Sequence, residues 1–344
     1  MNHETERWSV MMKTRLLFLL LIFTELVFGQ CPEYDTQPPS LSNVVVRALA
    51  IQNQVTQILS YRYSVANGIS STGCINRFEV DLSFPENGND LSDSGLTDYP
   101  RYVDRTALRL NPELRIIPVG VPSLPTYKGF TSAWFAGFGV NKRIDWVRAI
   151  ASYRIEPGDT LLGITMISHG LPGLRAFVIS PSYEPVPPVI VTPENEDSVY
   201  LNVPPLTQEE EEAFQRLLDS IKVRGTTIGP TAPPATFNAL TFLDTIASYV
   251  SQSRTLGWIT TQAAANKYTA LIDSAQSHLA VTPPQRGIAK AKLDSVLLNV
   301  HPDSTAGLLT SEAYALLRFN TEYVLTKLRE EDSDHQEEGK TKPR

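Results

Sequence analysis

The chain has 344 residues and few of the residue types from which catalytic and metal sites are commonly built. It contains two cysteines and five histidines, with no Cys-x-x-Cys pair, no His-Glu-x-x-His helix and no EF-hand loop. Those spacings bring ligands to one side of a metal, so their absence argues against the common zinc and calcium sites. No Gly-x-Ser-x-Gly turn is present, which argues against the nucleophile elbow of α/β-hydrolases. We therefore expect no cofactor and no bound metal.

The serine and histidine residues give no nucleophile-base pair. Ser168 and His169 are neighbours in a predicted strand, and adjacent residues of a strand point to opposite faces, so the two do not form a dyad. His278 falls in an amphipathic helix, His301 precedes a proline, and His335 lies near the C-terminus. Roles at turns and helix ends fit these residues better than catalysis.

Acidic residues outnumber basic ones, 37 to 30, and no cluster of Lys and Arg is present. A net charge of −7 without a basic patch argues against nucleic acid as a partner, because binding requires neutralisation of phosphates. The loop 86–95 is rich in oxygen ligands, but its spacing matches no calcium motif. We interpret it as a polar loop, with calcium on Asp90 and Asp93 as the alternative.

The longest apolar run lies near the N-terminus, at residues 16–23. Lys13 and Arg15 precede it, and Val and Gly occupy the −3 and −1 positions of a cleavage site after Gly29. This order predicts a secretory signal peptide over residues 1–29. The run is too short to span a bilayer, which takes about 20 apolar residues.

The segments beside the leader and at the C-terminus refine this prediction. A start at Met12 would give a more conventional signal peptide. Cys31 raises the alternative of a lipoprotein, but Gln30 precedes it where a small residue is expected. Residues 329–344 form a charged run without an apolar anchor, which predicts a disordered tail. We therefore expect a secreted protein, extracellular or periplasmic, that has no transmembrane anchor.

Both cysteines, Cys31 and Cys74, lie in the predicted mature chain. In an exported protein such a pair indicates a disulfide more often than a metal site. A bridge closing a loop of about 43 residues would stabilise the fold by roughly 3–4 kcal/mol on the chain-entropy model. Two free thiols are the alternative.

Residues 30–205 show the patterns of β-strands. Phe78, Val80 and Leu82 alternate with Glu79 and Asp81, which predicts a strand with one face on a core and one in water. Turn residues separate short strands with no helices between them, which predicts an antiparallel β-sandwich. The other predicted strands are 43–51, 61–66, 134–140, 146–153, 162–168 and 174–180.

The periodicity changes after residue 205. Thr207 and Glu210 match a capping box, and the helix they start leads into a proline-rich linker, so residues 206–234 connect two parts. From 235 to 328, apolar residues recur with a helical period in four segments: 240–250, 264–279, 288–300 (ending at His301-Pro302) and one beginning at Thr310. Short loops between them predict a four-helix bundle. The chain is thus predicted to be multidomain, all-β followed by all-α.

A pattern of apolar and turn residues recurs through the helical part, at 243–250, the turn Leu256-Gly257-Trp258-Ile259, 263–279, the pair Ala289 and Leu293, and 309–313. In this pattern the helical part resembles the FIMAH-type module at the C-termini of many secreted bacterial proteins. These residues cover about a quarter of the chain. The family consists of non-catalytic accessory domains, so the resemblance implies a supporting role and no site residues. Residues 281–287 depart from its pattern between the second and third helices.

Aromatic residues cluster between positions 127 and 146. Exposed rings stack on sugars or anchor protein partners, which makes Trp134, Phe135 and Trp146 candidate ligand contacts. A place in the sandwich core is the competing interpretation. We expect a secreted, non-catalytic binding or accessory protein that engages an extracellular protein or glycan. The alternative is an extracellular hydrolase, because the sequence leaves open whether two of its many carboxylates face each other across a cleft.

Overall fold

The computed structural model describes nine β-strands and five α-helices in residues 38–82, 117–118, 134–138, 143–148, 154–168, 170–183, 207–234 and 236–340. The strands are β1 Val45–Gln52, β2 Leu59–Ala66, β3 Ile75–Asp81, β4 Ile117–Pro118, β5 Trp134–Phe138, β6 Arg143–Arg148, β7 Thr160–Ser168, β8 Leu171–Pro181 and β9 Val223–Thr231. The helices are α1 Gln208–Ser220, α2 Ala239–Thr255, α3 Gln262–Ala280, α4 Arg286–Thr305 and α5 Ser311–Lys340.

The strands form two antiparallel sheets, one in the order β1-β2-β7-β4 and the other in the order β5-β6-β3-β8-β9. Each of the seven predicted strands overlaps a strand of the structure, although the predicted strand 146–153 shares only residues 146–148 with β6 and its remaining residues fall outside the described part of the chain. The prediction of a β-rich part followed by a helical part is therefore confirmed. No helix of the described residues has the length and apolar character needed to cross a membrane.

Large aromatic side chains of the two sheets contact one another. Tyr63 of β2 contacts Phe78 of β3, with ring centroids 5.6 Å apart, and Trp146 of β6 stacks on Phe78 at 5.4 Å. All three side chains are buried, and the alternation in β2 and β3 predicts this for Tyr63 and Phe78. The Tyr63 hydroxyl donates a hydrogen bond to the Ile228 carbonyl of β9, 3.0 Å away, so its polar end is satisfied within this core.

Residues 206–234 contain a strand that the sequence pattern does not predict. The capping box starts α1 as predicted, with the Glu210 side chain accepting from the Thr207 backbone N–H at 2.9 Å. The segment predicted as a proline-rich linker, however, forms β9, which pairs with β8 along its whole length. Most residues of β9 are glycine, threonine or proline, so its side chains show no alternation of apolar and polar types.

Two predicted helix ends are also different in the structure. α4 continues through Pro302 to Thr305, because Lys267 and Tyr268 of α3 both donate to the Asp303 carboxylate and hold the last turn in place. The predicted disordered tail 329–344 is helical as far as Lys340. Asp332 forms ion pairs there with Arg286 and Lys290 of α4. Tertiary contacts of this kind stabilise helix in a charged segment that the sequence alone predicts to be disordered.

The helical part consists of two similar hairpins, α2–α3 and α4–α5. Each hairpin turns at a glycine with positive φ, Gly257 at 74° and Gly307 at 72°, fifty residues apart. Ile259 and Leu309, two residues after each glycine, form an antiparallel bridge that joins the turns. The buried residues of α2 and α4, the first helix of each hairpin, correspond at the same spacing of fifty residues: Leu243 with Leu293, Ile246 with Val296, and Val250 with Val300.

The long helix α5 connects the helical part to both sheets. It contacts β1 of one sheet and β8 and β9 of the other, and the buried core continues from the strands into the helices. The Ala48 N–H at the outer edge of β1 donates to Glu312, 2.8 Å away, and this carboxylate is only 1% exposed. Asn320 donates to the Pro172 carbonyl of β8 at 2.9 Å. One helix thus binds an N–H of the edge strand β1 and a carbonyl of β8.

We predict that Glu312→Ala lowers the free energy of unfolding by about 1–3 kcal/mol, because it leaves the buried Ala48 N–H without an acceptor. Glu312→Gln keeps an acceptor oxygen at the same position and serves as the matched control, with a smaller expected loss. Urea unfolding of the two variants measures the difference. Equal losses in both would show that the hydrogen bond to β1 does not hold the helix to the sheet.

The two turn glycines give a second prediction. An added Cβ meets nothing within 4 Å at Gly257, Gly307 or Gly287, but only the first two have a positive φ. Alanine at position 257 or 307 should therefore cost about 1 kcal/mol through backbone strain alone. Gly287→Ala, within α4, should instead stabilise the protein by up to about 1 kcal/mol. Thermal unfolding of the three variants measures the expected loss of stability at positions 257 and 307 and the expected gain at position 287.

Candidate ligand-binding cleft

A cleft of about 600 Å³ opens where the β8–β9 pair meets α2 and α5, and we call it the junction cleft. Its volume lies within the range of about 300–1,000 Å³ that is usual for small-ligand sites, which commonly form where two structural units meet. The described residues that line it are Leu171, Thr231, Ala232, Pro234, Thr236, Asn238, Thr241, Phe242, Thr245, Tyr249 and Asn320.

The strand side of the cleft depends on a glycine. Gly173 of β8 pairs in register with Gly229 of β9. A Cβ on Gly173 would lie 1.9 Å from the Thr231 hydroxyl oxygen and 3.2 Å from the Tyr249 hydroxyl oxygen. The missing side chain therefore allows both hydroxyl groups to lie directly over the strand.

The helix side is held by capping and side-chain hydrogen bonds. Asn238 is the N-cap of α2, and its side-chain oxygen accepts from the Thr241 N–H at 3.1 Å. Thr245, one turn further, donates its hydroxyl to the Thr241 carbonyl at 3.2 Å. Asn320 of α5 uses both amide protons for the Pro172 and Leu316 carbonyls, so it positions the wall that α5 contributes. The polar groups of this side thus lie on secondary structure with fixed positions.

The electrostatic character of the cleft is neutral. None of the described residues that line it carries a charge. The nearby cation Arg175 is buried in β8 and donates through Nε to the Pro230 carbonyl at 2.9 Å. Burial raises the pKa of the Tyr249 hydroxyl, and the positive charge of Arg175 opposes this only in part. Tyr249 therefore stays protonated at physiological pH and can both donate and accept a hydrogen bond.

The predicted ligand contacts lie elsewhere. Trp146 is 1% exposed and stacks on Phe78, so the structure places its ring in the core and not on a surface. Trp134 and Phe135 lie in β5, and their side chains fall outside the part of the chain that the structure describes. Sequence reasoning did not identify Thr231 or Tyr249, which line the cleft.

Several other predicted features fall wholly or partly outside the described residues. The loop 86–95, with Asp90 and Asp93, is one, and Cys31 is another. Cys74 is buried just before β3, and its disulfide with Cys31 stays a prediction. Within the described residues, no group of three or more His, Cys, Asp and Glu side chains is arranged to hold a metal ion.

Two carboxylates do lie side by side in the described part of the five-stranded sheet. Glu79 of β3 and Asp145 of β6 are directly paired in register, and both are buried. The Arg77 guanidinium contacts both, at 2.9 Å from Glu79 and 2.8 Å from Asp145. Because one guanidinium pairs with both carboxylates, this arrangement fits a structural ion-pair network better than two carboxyl groups with separate catalytic roles.

Comparison with known protein families, with curated proteins and with solved structures finds no match for this chain. The resemblance of the helical part to the FIMAH-type module therefore stays a prediction.

The buried tyrosines give a prediction for alkaline pH. Burial raises the pKa of Tyr63 above its ordinary value of 10.0, while Arg175 lowers it in part. Burial and the Asp303 carboxylate raise that of Tyr268. The unfolded chain releases these protons first, so stability that is complete below about pH 10 should fall as the pH rises further. Urea unfolding between about pH 8 and pH 11 measures this loss.

Tyr63→Phe and Tyr268→Phe test the assignment, because each removes one titrating hydroxyl. Each variant should lose less stability between the two pH values than the unchanged protein does. Ultraviolet absorbance of tyrosinate provides an independent measurement, in which buried tyrosines ionise only as the protein unfolds. A stability curve that is flat above pH 10 would contradict the prediction.

Proposed function

We propose that this is a secreted, non-catalytic binding or accessory protein whose junction cleft holds part of an extracellular protein or glycan. The observation that carries the proposal is the neutral cleft of about 600 Å³ between the strands and the helices. Its described lining presents hydroxyl, amide and apolar groups, which suit binding, and no carboxylate, histidine or cysteine that would act as an acid, base or nucleophile.

We also propose a finer description of the fold. The contacts of Tyr63 with Phe78 and Trp146 support a β-sandwich, in which the inner faces of the two sheets pack on one another. The serial contacts of α2 with α3, α3 with α4, and α4 with α5, closed by α2 with α5, support a four-helix bundle. In this arrangement α5 belongs to both units and fixes the cleft between them.

The accessory role and the secretion rest on the sequence. The leader over residues 1–29 and the cysteine pair Cys31 and Cys74 support export to an oxidising compartment. The resemblance of the helical part to the FIMAH-type module supports a function beside another exported protein.

The second candidate is an extracellular hydrolase, and the Glu79–Asp145 pair is the observation that favours it. Retaining glycosidases use two carboxyl groups about 5–5.5 Å apart, one of which must stay protonated as the acid. Arg77 contacts both carboxylates of this pair, which opposes such a division of roles. We therefore rank binding above hydrolysis.

The test of export uses the full chain expressed with its own leader in a secreting host. We expect the mature protein in the culture medium or periplasm, cut after Gly29, with a mass that shows one disulfide under non-reducing conditions. Recovery of the uncut chain from the cytosol would contradict the proposal.

The test of binding compares two threonine variants of α2 on a glycan array and in capture of extracellular proteins. Thr245 lines the cleft, Thr255 is exposed near the end of the helix, and both donate to a carbonyl one turn earlier. Thr245→Trp should fill the cleft and weaken binding by about 10-fold or more, equivalent to at least about 1.4 kcal/mol. Thr255→Trp should bind as the unchanged protein does.

The hydrolase alternative predicts a different result. Polysaccharides or proteins incubated with the mature chain would be cleaved, and both Glu79→Gln and Asp145→Asn would abolish the cleavage while the protein stays folded. That outcome would replace the binding proposal.

A further inference from the structure

The junction cleft contains hydroxyl groups that form no hydrogen bond with the described residues. No group in that part of the chain bonds to the hydroxyl of Tyr249, which is partly buried and lines the cleft. The Thr231 hydroxyl, which lies over Gly173 beside it, also has no partner there. A cleft hydroxyl without a protein partner can bond to an occupant in place of water, so these two hydroxyls favour an occupant that can donate and accept hydrogen bonds.

The charge of the lining restricts the occupant further. A carboxylate, phosphate or sulfate entering the cleft would lose its hydration without meeting a cation among the described lining residues. An ammonium group would meet no carboxylate there. Negatively and positively charged ligands are therefore both disfavoured, and the preferred occupant is neutral.

The cleft also has an apolar surface beside these hydroxyls. Leu171, Pro234 and Phe242 line it together with the polar groups. A lipid chain would cover this surface but would leave the hydroxyls of Thr231 and Tyr249 without partners. A ligand that carries hydroxyl groups around its rim and C–H groups on its faces matches both parts, and a sugar ring has this distribution.

We infer that the junction cleft binds a neutral saccharide, one ring of which packs on the apolar wall while its hydroxyls bond to Thr231 and Tyr249. This inference rests on the proposed function and names the class of ligand for the same cleft. Because threonine and tyrosine hydroxyls each donate and accept, they suit sugar hydroxyls, which do the same. Asn320 keeps the α5 wall in place through its bonds to Pro172 and Leu316.

The experiment uses the full mature chain and isothermal titration calorimetry. The probes are neutral oligosaccharides of glucose, galactose, mannose and N-acetylglucosamine, together with oligomers of uronic acids and sulfated sugars of similar size. We expect at least one neutral series to bind and the charged series to bind about 10-fold more weakly or not at all.

Variants assign the binding to the cleft. Tyr249→Phe and Thr231→Val each remove one hydroxyl with little change in shape, and each should weaken neutral sugar binding by about 3- to 10-fold. Tyr314→Phe is the matched control, because its hydroxyl contacts Arg318 outside the cleft, and its affinity should be unchanged. Thermal unfolding should show all three variants folded. If Tyr249→Phe does not fold, Thr231→Val and the comparison of neutral with charged probes still test whether the cleft binds a neutral saccharide.

Three outcomes would overturn the inference. Charged sugars that bind as tightly as neutral ones would show that the described lining does not set the ligand class. Sugar binding that survives Tyr249→Phe and Thr231→Val unchanged would place the ligand elsewhere. If no sugar binds, but a captured extracellular protein is released by Thr245→Trp and not by Thr255→Trp, the saccharide is wrong and the proposed binding function stands. Loss of both kinds of binding would remove the proposed function as well.

Discussion

The attachment of α5 to a strand of each sheet is the interaction on which the rest of the structure depends. An edge strand has backbone groups without a partner strand, and these must be satisfied if the edge is to be buried. Glu312 accepts from Ala48 of the edge strand β1, and Asn320 donates to the Pro172 carbonyl of β8, an inner strand of the other sheet, so one helix is bound to both sheets. Because α5 also packs on α2 and α4, this attachment fixes the whole helical part against the strands.

The junction cleft follows from that attachment. Gly173 provides a strand surface without a side chain, α2 brings Tyr249 over it, and β9 brings Thr231 beside it. Buried Arg175 lies close enough to influence the pKa of both Tyr63 and Tyr249, yet its Nε is bound to the Pro230 carbonyl. The cleft is therefore polar without being charged, and this combination supports binding of a neutral ligand more than catalysis.

Local signals in the sequence were read correctly where the local chemistry decides the structure. The capping box of Thr207 and Glu210 starts α1, and the alternation around Phe78 defines β3. The repeat of Gly257-x-Ile259-Thr260 as Gly307-x-Leu309-Thr310 was also visible, and fifty-residue spacing would have indicated two helical hairpins joined at their turns. The predictions that a helix ends at Pro302 and that the chain is disordered after residue 328 were wrong. Contacts between α3 and α4, and between α4 and α5, stabilise helix there.

The sequence by itself determined where most of the described strands and helices lie, since periodicity, caps and turn residues act over a few neighbouring positions. The pairing of β9 with β8, the burial of Trp146 and the junction cleft were decided only by the tertiary structure. Gly173, Thr231 and Tyr249 are separated by many residues in the chain, and none of them has a neighbour that marks it as part of a site. They meet because sheet pairing and the attachment of α5 bring distant segments together, and a contact of this kind leaves no local pattern.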